Sequence, residues 1–91
     1  EVDYGIAICG SGIGISIACN KVNGIRCAKV NTVLDAKMTR LDNDANVIAL
    51  SAKTNKNDAI ELINTFLETK FSNEKRHINR INKIKNYEEN R

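Results

Sequence analysis

The feature that most limits what this chain can fold into is its opening: an apolar run, Tyr4-Gly5-Ile6-Ala7-Ile8-Cys9, that ends directly in Gly10-Ser11-Gly12-Ile13-Gly14. The run has the length of a strand. After the glycines, Ile15, Ile17, Ala18 and Val22 recur at roughly helical intervals, so the segment reads as strand, tight loop, helix. Gly24 is expected to stop that helix, and Ile25 to Val30 alternates well enough to be a second strand. The pattern then repeats. Val33, Leu34, Met38 and Leu41 form one helical face with Asn31 or Thr32 as cap, and Ala45 to Leu50 is a third apolar run. Ala59, Ile60, Leu62, Ile63, Phe66 and Leu67 describe a third helix. Three alternations predict an α/β fold of βαβ units with right-handed crossovers and a parallel sheet covered on both faces.

Ninety-one residues make at most one domain, and a chain this short buries only about two-thirds of the surface it exposes unfolded. Three strands are few for such a sheet. The first residue is Glu1 and the apolar run begins almost at once, which suggests a partial domain whose N-terminal strands lie upstream. The segment 74–89 places Ile78, Ile81 and Ile84 three residues apart, with Tyr87 continuing the stripe. It predicts a C-terminal amphipathic helix that needs something to pack on, such as a neighbouring subunit.

No stretch approaches the roughly 18 apolar residues of a membrane span, and no signal-peptide pattern is present. The expectation is a soluble, cytoplasmic protein. Cys9, Cys19 and Cys27 are odd in number, and with the single His77 they suggest neither a disulfide framework nor a zinc site. Cys19 and Cys27 are expected to be packing residues. The net charge of +3 comes from 14 Lys and Arg against 11 acids, too small an excess to specify a partner.

In open parallel sheets, ligands bind at the carboxyl ends of strands, and the amides of a glycine turn form a cradle for an anion. Cys9 stands at that place. Such amides also favour a thiolate, which can act as a base or nucleophile near neutral pH; the alternative is a small hydrophobe closing a strand. Arg76 and Arg80 lie one helical turn apart, suited either to fork onto a phosphate or to form a solvated basic face. His77 falls off that face and reads as structural or exposed. The Asx residues of 42–46 suit turns and caps.

Several separated motifs together resemble the type B ribose-5-phosphate isomerase family, which includes the galactose-6-phosphate isomerase subunits. They are Gly5 to Ala18, Asn20-Lys21, Gly24-Ile25-Arg26, Asn43-Asp44-Ala45-Asn46-Val47, and Arg76-His77 with Arg80. The resemblance implies a Rossmann-like three-layer αβα sandwich working as a homodimer or dimer of dimers, with active sites shared between subunits. It implies a metal-free, cofactor-free interconversion of aldose and ketose phosphates, of the kind the pentose phosphate pathway uses. A proton moves between C1 and C2 of a ring-opened sugar phosphate through a cis-enediolate.

By the same resemblance, Cys9 is the proton-abstracting base, and Gly10, Ser11, Gly12, Ile13 and Gly14 form the loop that meets the sugar oxygens and the enediolate. Asn43 contacts the sugar, and Arg76 and Arg80 bind its phosphate. Two positions depart from the family pattern. Asp42 stands where many members have the histidine that opens the furanose ring; an imidazolium is a ready proton donor near pH 7, whereas an ordinary carboxyl is ionised there. Lys53 stands where an arginine usually binds phosphate, which keeps the charge but loses the fork. The family's Asp-His pair at the end of the first strand would lie upstream of Glu1, so residues 1–91 alone are not expected to be active.

Three competing readings remain. A phosphocysteine carrier would explain the first 18 residues but not Asn43 to Val47 or Arg76 to Arg80. A non-catalytic sugar-phosphate-binding or structural subunit would explain Asp42 and Lys53 but not the retained Cys9, Ser11 and loop glycines. Nucleic-acid binding by the basic tail has one aromatic, Tyr87, and no module to support it.

Overall fold

The computed structural model describes residues 3–91. Three strands, β1 (Gly5–Cys9), β2 (Cys27–Lys29) and β3 (Val47–Ser51), form a parallel sheet in the order β1-β3-β2. Val47 at the start of β3 aligns with Gly5 and Cys27, and Ser51 at its end aligns with Cys9. β3 is the central strand, and its unbroken apolar run follows from that place: Ile48, Ala49 and Leu50 are all buried.

Four helices connect and cover the strands: α1 (Ile13–Cys19), α2 (Val33–Asn43), α3 (Lys56–Glu68) and α4 (Lys75–Asn90). The first crossover passes from β1 over β3 to β2, and the second returns from β2 to β3. With right-handed crossovers, that reversal puts α1 on one face and α2 on the other, with α3 packed against α2. The core lies on the α2–α3 side and is built from Val30, Ala36, Ala45, Ile48, Leu50, Leu62 and Phe66.

Local chemistry fixes the helix starts. The Thr32 hydroxyl accepts the Asp35 amide at 3.1 Å, while the Asp35 carboxylate accepts the Asn31 amide at 3.2 Å. Asn55 does the same for α3, accepting the Asp58 amide at 2.9 Å. Each such cap satisfies an N–H that the helix itself leaves without a partner. α2 ends at Asp44, whose left-handed backbone (φ 46°) turns the chain into β3.

The structure corrects four details. α1 ends at Cys19 with Asn20 as its C-cap, so Gly24 shapes a later turn, at φ +87°, and does not stop the helix. β2 is only three residues long. Asp42 and Asn43 belong to the last turn of α2, while the turn and sheet-edge roles fall to Asp44 and Asn46. Asn46 accepts the Arg26 amide at 2.8 Å and donates to the Gly24 carbonyl at 2.8 Å.

The fourth correction concerns which faces are buried. α2 buries Ala36, Thr39 and Arg40, whereas Leu34 is 65% exposed and Val33 and Met38 are also exposed. Small residues let α2 sit close to its neighbours, and Arg40 is neutralised where it lies. Its guanidinium donates to Asp44 Oδ1 (2.8 Å), the Ala45 carbonyl (2.7 Å) and the Thr69 carbonyl (3.0 Å), and stacks over the Tyr4 and Phe66 rings. On α4 the buried residues are His77 and Ile81, not the whole isoleucine stripe, because one turn of the helix rests on α2. At its far end α4 is tied down through Glu88, which accepts the Gly24 amide, and through Arg91, which bonds Asn23 and the Lys21 carbonyl.

Candidate active site

β1 leads into α1 on one face of the sheet and β3 into α3 on the other, so their carboxyl ends flank a topological switch point, where open α/β sheets bind ligands. Cys9 and Ser51 occupy those two ends. The loop after Cys9 folds back on the thiol: the Gly12 amide donates to Cys9 Sγ at 3.2 Å, and the Ser11 hydroxyl accepts the Ile13 amide at 3.1 Å. Gly12 has φ +79°, and a Cβ there would lie 3.0 Å from the Leu50 carbonyl carbon and 3.1 Å from the Ser51 nitrogen. Glycine is required at that point for both reasons.

The loop is bound to the end of β3. The Ala52 amide donates to the Cys9 carbonyl at 2.9 Å, the Ser51 hydroxyl donates to the Gly10 carbonyl at 2.7 Å, and the Lys53 amide donates to the Ser51 hydroxyl at 3.1 Å. Lys53 is thereby at the same end of the sheet as Cys9. A Cβ at Gly10 or Gly14 would meet nothing within 4 Å, so the space above the loop is open.

These donors act on the thiol. The Ile15 amide does most to hold the Cys9 pKa below its ordinary value; desolvation opposes it, and the amides of Gly12 and Ser11 and the Ser11 hydroxyl add to it. Cys27 behaves in the opposite way. Burial, with the Cys19 thiol alongside, pushes it up to about 11. Its backbone is clamped by Asn20, which accepts the Cys27 amide at 2.8 Å and donates to its carbonyl at 2.9 Å. Cys19 and Cys27 are free thiols, both half-buried and outside the core cluster.

The remaining predicted residues lie elsewhere. Asp42 and Asn43 end α2 where it delivers the chain to the amino end of β3; Arg80 reaches that end from α4, and Arg76 is joined to it through Glu74, which also approaches His77 beside Asp42. Asn43 and Arg80 line a cavity of about 440 Å³ with Asn20, Arg26, Ile81 and Glu88. Arg76 does not line it; its guanidinium bonds Glu74 at 3.1 Å. The five-residue length of β3 therefore separates two groups, Cys9 to Gly14 with Lys53 at one end and Asp42, Asn43, Arg76 and Arg80 at the other. At about 3.3 Å per residue β3 itself spans about 13 Å.

Two features of the site were not expected. Ser51 is the hinge between the Cys9 loop and Lys53; a hydroxyl at the end of the third apolar run was its only signal. His77 is 6% exposed, and its Nε2 lies 3.3 Å from Asp42 Oδ1 and 3.2 Å from Glu74 Oε2. The i, i+3 spacing of Glu74 and His77 was legible, but the approach of Asp42 depends on how α4 rests on α2.

No helix among the described residues is long and apolar enough to cross a membrane. The profile of the Ribose/Galactose Isomerase family matches residues 1–84. The structure superposes on type B ribose 5-phosphate isomerase from Trypanosoma cruzi with a TM-score of 0.95 at 46% identity, covering 100% of this chain and 61% of that one. Ribose-5-phosphate isomerase B of Escherichia coli is 49% identical over 53 residues, 58% of this chain and 36% of that protein. Galactose-6-phosphate isomerase subunit LacB of Clostridium acetobutylicum is 43% identical over 72 residues, 78% of this chain and 42% of that protein. The chain spans 60% and 58% of the length of two curated bacterial relatives that it matches over 98% and 97% of its own. A Rossmann-like parallel sheet, a cysteine at the switch point and a match along nearly the whole sequence lead to one assignment: this chain belongs to the ribose/galactose isomerase family.

Proposed function

We propose that this chain is part of a sugar-phosphate isomerase that interconverts ribose 5-phosphate and ribulose 5-phosphate, or a related pair of sugar phosphates, in the cytoplasm. The observation that carries the reading is the Cys9 thiol, set at the switch point and held toward its thiolate form by loop amides. Cys9 removes the C2 proton of the open aldose. The electron pair moves into a C1–C2 double bond with the charge on O1, giving a cis-enediolate; the O2 hydroxyl proton passes to O1, the charge on O2 collapses to the C2 carbonyl, and the proton held by Cys9 is returned to C1 to yield the ketose. Amides of the Gly10–Gly14 loop and the Ser11 hydroxyl meet the oxygens on which charge develops, which stabilises the transition state more than the ground state. Protein groups supply every step, and neither a metal nor a cofactor enters.

The separation of the two residue groups supports a site shared between two copies of the chain in a homodimer or dimer of dimers. One copy supplies Cys9, the loop and Lys53, and the other supplies Asp42, Asn43, Arg76 and Arg80. Arg80, which lines the cavity with Asn43, binds the phosphate with Arg76, which exchanges its Glu74 contact for the ligand. Residues 1–91 form a partial domain and are expected to be inactive alone.

The test is an isomerase assay on the full-length gene product with ribose 5-phosphate, run beside Cys9→Ala. Loss of a positioned base lowers turnover by about 10²–10⁴-fold. Full activity in Cys9→Ala would sink the cysteine-base mechanism. Tight binding of pentose and hexose phosphates without turnover would favour the non-catalytic subunit, for which Asp42 and Lys53 are the supporting features.

A further inference from the structure

The imidazole that the family pattern leads one to expect at position 42 is absent from that position but present behind it. His77 reaches Asp42 from α4, its Nε2 3.3 Å from Asp42 Oδ1, while Glu74 Oε2 closes the other side at 3.2 Å. The ring is more than nine-tenths buried, and Nε2 has no aligned hydrogen-bond partner among the described residues. A buried polar nitrogen in that state has given up its water without gaining a partner, which is unfavourable. Two carboxylates within 3.3 Å are out of line by angle, not by distance, and such contacts commonly tighten only when a substrate is bound. Asp42 itself remains partly open to solvent, so one face of its carboxylate is available to a ligand while the other meets the imidazole.

Resting on the isomerase reading above, we infer that Asp42 opens the sugar ring and that His77 is its positioning residue, steadied in turn by Glu74. His77 donates from Nε2 to Asp42 Oδ1 and so turns Oδ2 toward the sugar. Oδ2 accepts the proton of the anomeric O1–H, and the O1–H electron pair becomes the C1=O1 π bond. The C1–O4 bond breaks with its electrons on O4, which takes the proton back from the Asp42 carboxyl. The net change is transfer of one proton from O1 to O4. No other reactant is consumed, and His77 keeps its own proton throughout. The usual order, a carboxylate orienting an imidazole, is here reversed.

The chemistry supplies its own control. Ribose 5-phosphate is a furanose and must open before its C2 proton can leave. Ribulose 5-phosphate has its O5 phosphorylated, cannot close such a ring, and exchanges its C1 proton through the enediolate without any opening step. In the full-length gene product, His77→Leu is expected to lower turnover of ribose 5-phosphate at least about tenfold more than it lowers solvent exchange at C1 of ribulose 5-phosphate. His77→Gln, whose amide nitrogen keeps a donor near the Nε2 position, should restore most of the difference, and His77→Asn, whose amide falls short of Asp42, should not. Should the leucine variant fail to fold, the Gln and Asn variants give the same contrast. A parallel fall in both reactions, or no fall in either, overturns the role of His77 and leaves the isomerase reading standing. Absence of both reactions in the unsubstituted protein overturns that reading itself.

Discussion

Replacing Gly12 by alanine separates what the Cys9 loop needs for folding from what it needs for chemistry. At φ +79° an L-residue costs about 1–2 kcal/mol. The added methyl also lies 3.0–3.2 Å from the Leu50 and Ser51 backbone, and overpacking against a part that cannot yield costs about 1–3 kcal/mol more. Lower entropy of the unfolded chain returns roughly 0.4–1 kcal/mol. The net expectation is a loss of about 1–4.6 kcal/mol, read in urea denaturation of the full-length product as a lower midpoint at unchanged slope. The same displacement pulls the Gly12 amide from Cys9 Sγ, so alkylation of Cys9 at neutral pH should slow. Gly14→Ala is the companion: inside α1, with open space around its Cβ, it should stabilise by about 0.5–1 kcal/mol, yet reduce turnover if sugar oxygens come to that loop. Equal stability of the Gly12→Ala and Gly14→Ala proteins would refute the reasoning about backbone strain.

Cys9 and Cys27 should label in a definite order: as pH rises, the Cys9 thiolate forms before that of Cys27 because its pKa is lowered, while Cys27 stays protonated until about pH 11. Iodoacetamide rates per residue by mass spectrometry check this, and Cys27 reacting before Cys9 would contradict it. Arg40→Met removes a guanidinium that satisfies the Ala45 and Thr69 carbonyls and pairs with Asp44, and is expected to cost about 2–4 kcal/mol in urea denaturation. Thr32→Ala and Asn55→Ala each remove one cap, at about 1 kcal/mol apiece. The two caps share no partner, so the double variant should lose their sum.

Much of this molecule was legible in the order of its residues. Three apolar runs alternating with helical patterns specify a parallel α/β sheet, because crossovers between parallel strands need helices and their handedness is fixed. The glycines after Cys9 specify a tight loop at the carboxyl end of a strand, and Asn31 or Thr32 marks the start of the second helix through a side chain that reaches only nearby backbone. These are local rules, and a local rule can be read from a linear text. Which helical face is buried is a different kind of fact. Val33, Leu34 and Met38 looked like the inner face of α2, yet the small residues Ala36 and Thr39 and the neutralised Arg40 took that place, since the choice depends on what the sheet and α3 present opposite. The site divides along the same line. Cys9 and its loop were evident because one strand end and one turn contain them, whereas the separation of Asn43 and Arg80 from Cys9, the Ser51 hinge and the approach of His77 to Asp42 arise between segments 30 or more positions apart. Only the packing of α4 on α2 and the parallel register of β1 with β3 decide those distances, because each is set by the sum of many contacts and none by the residues that meet there.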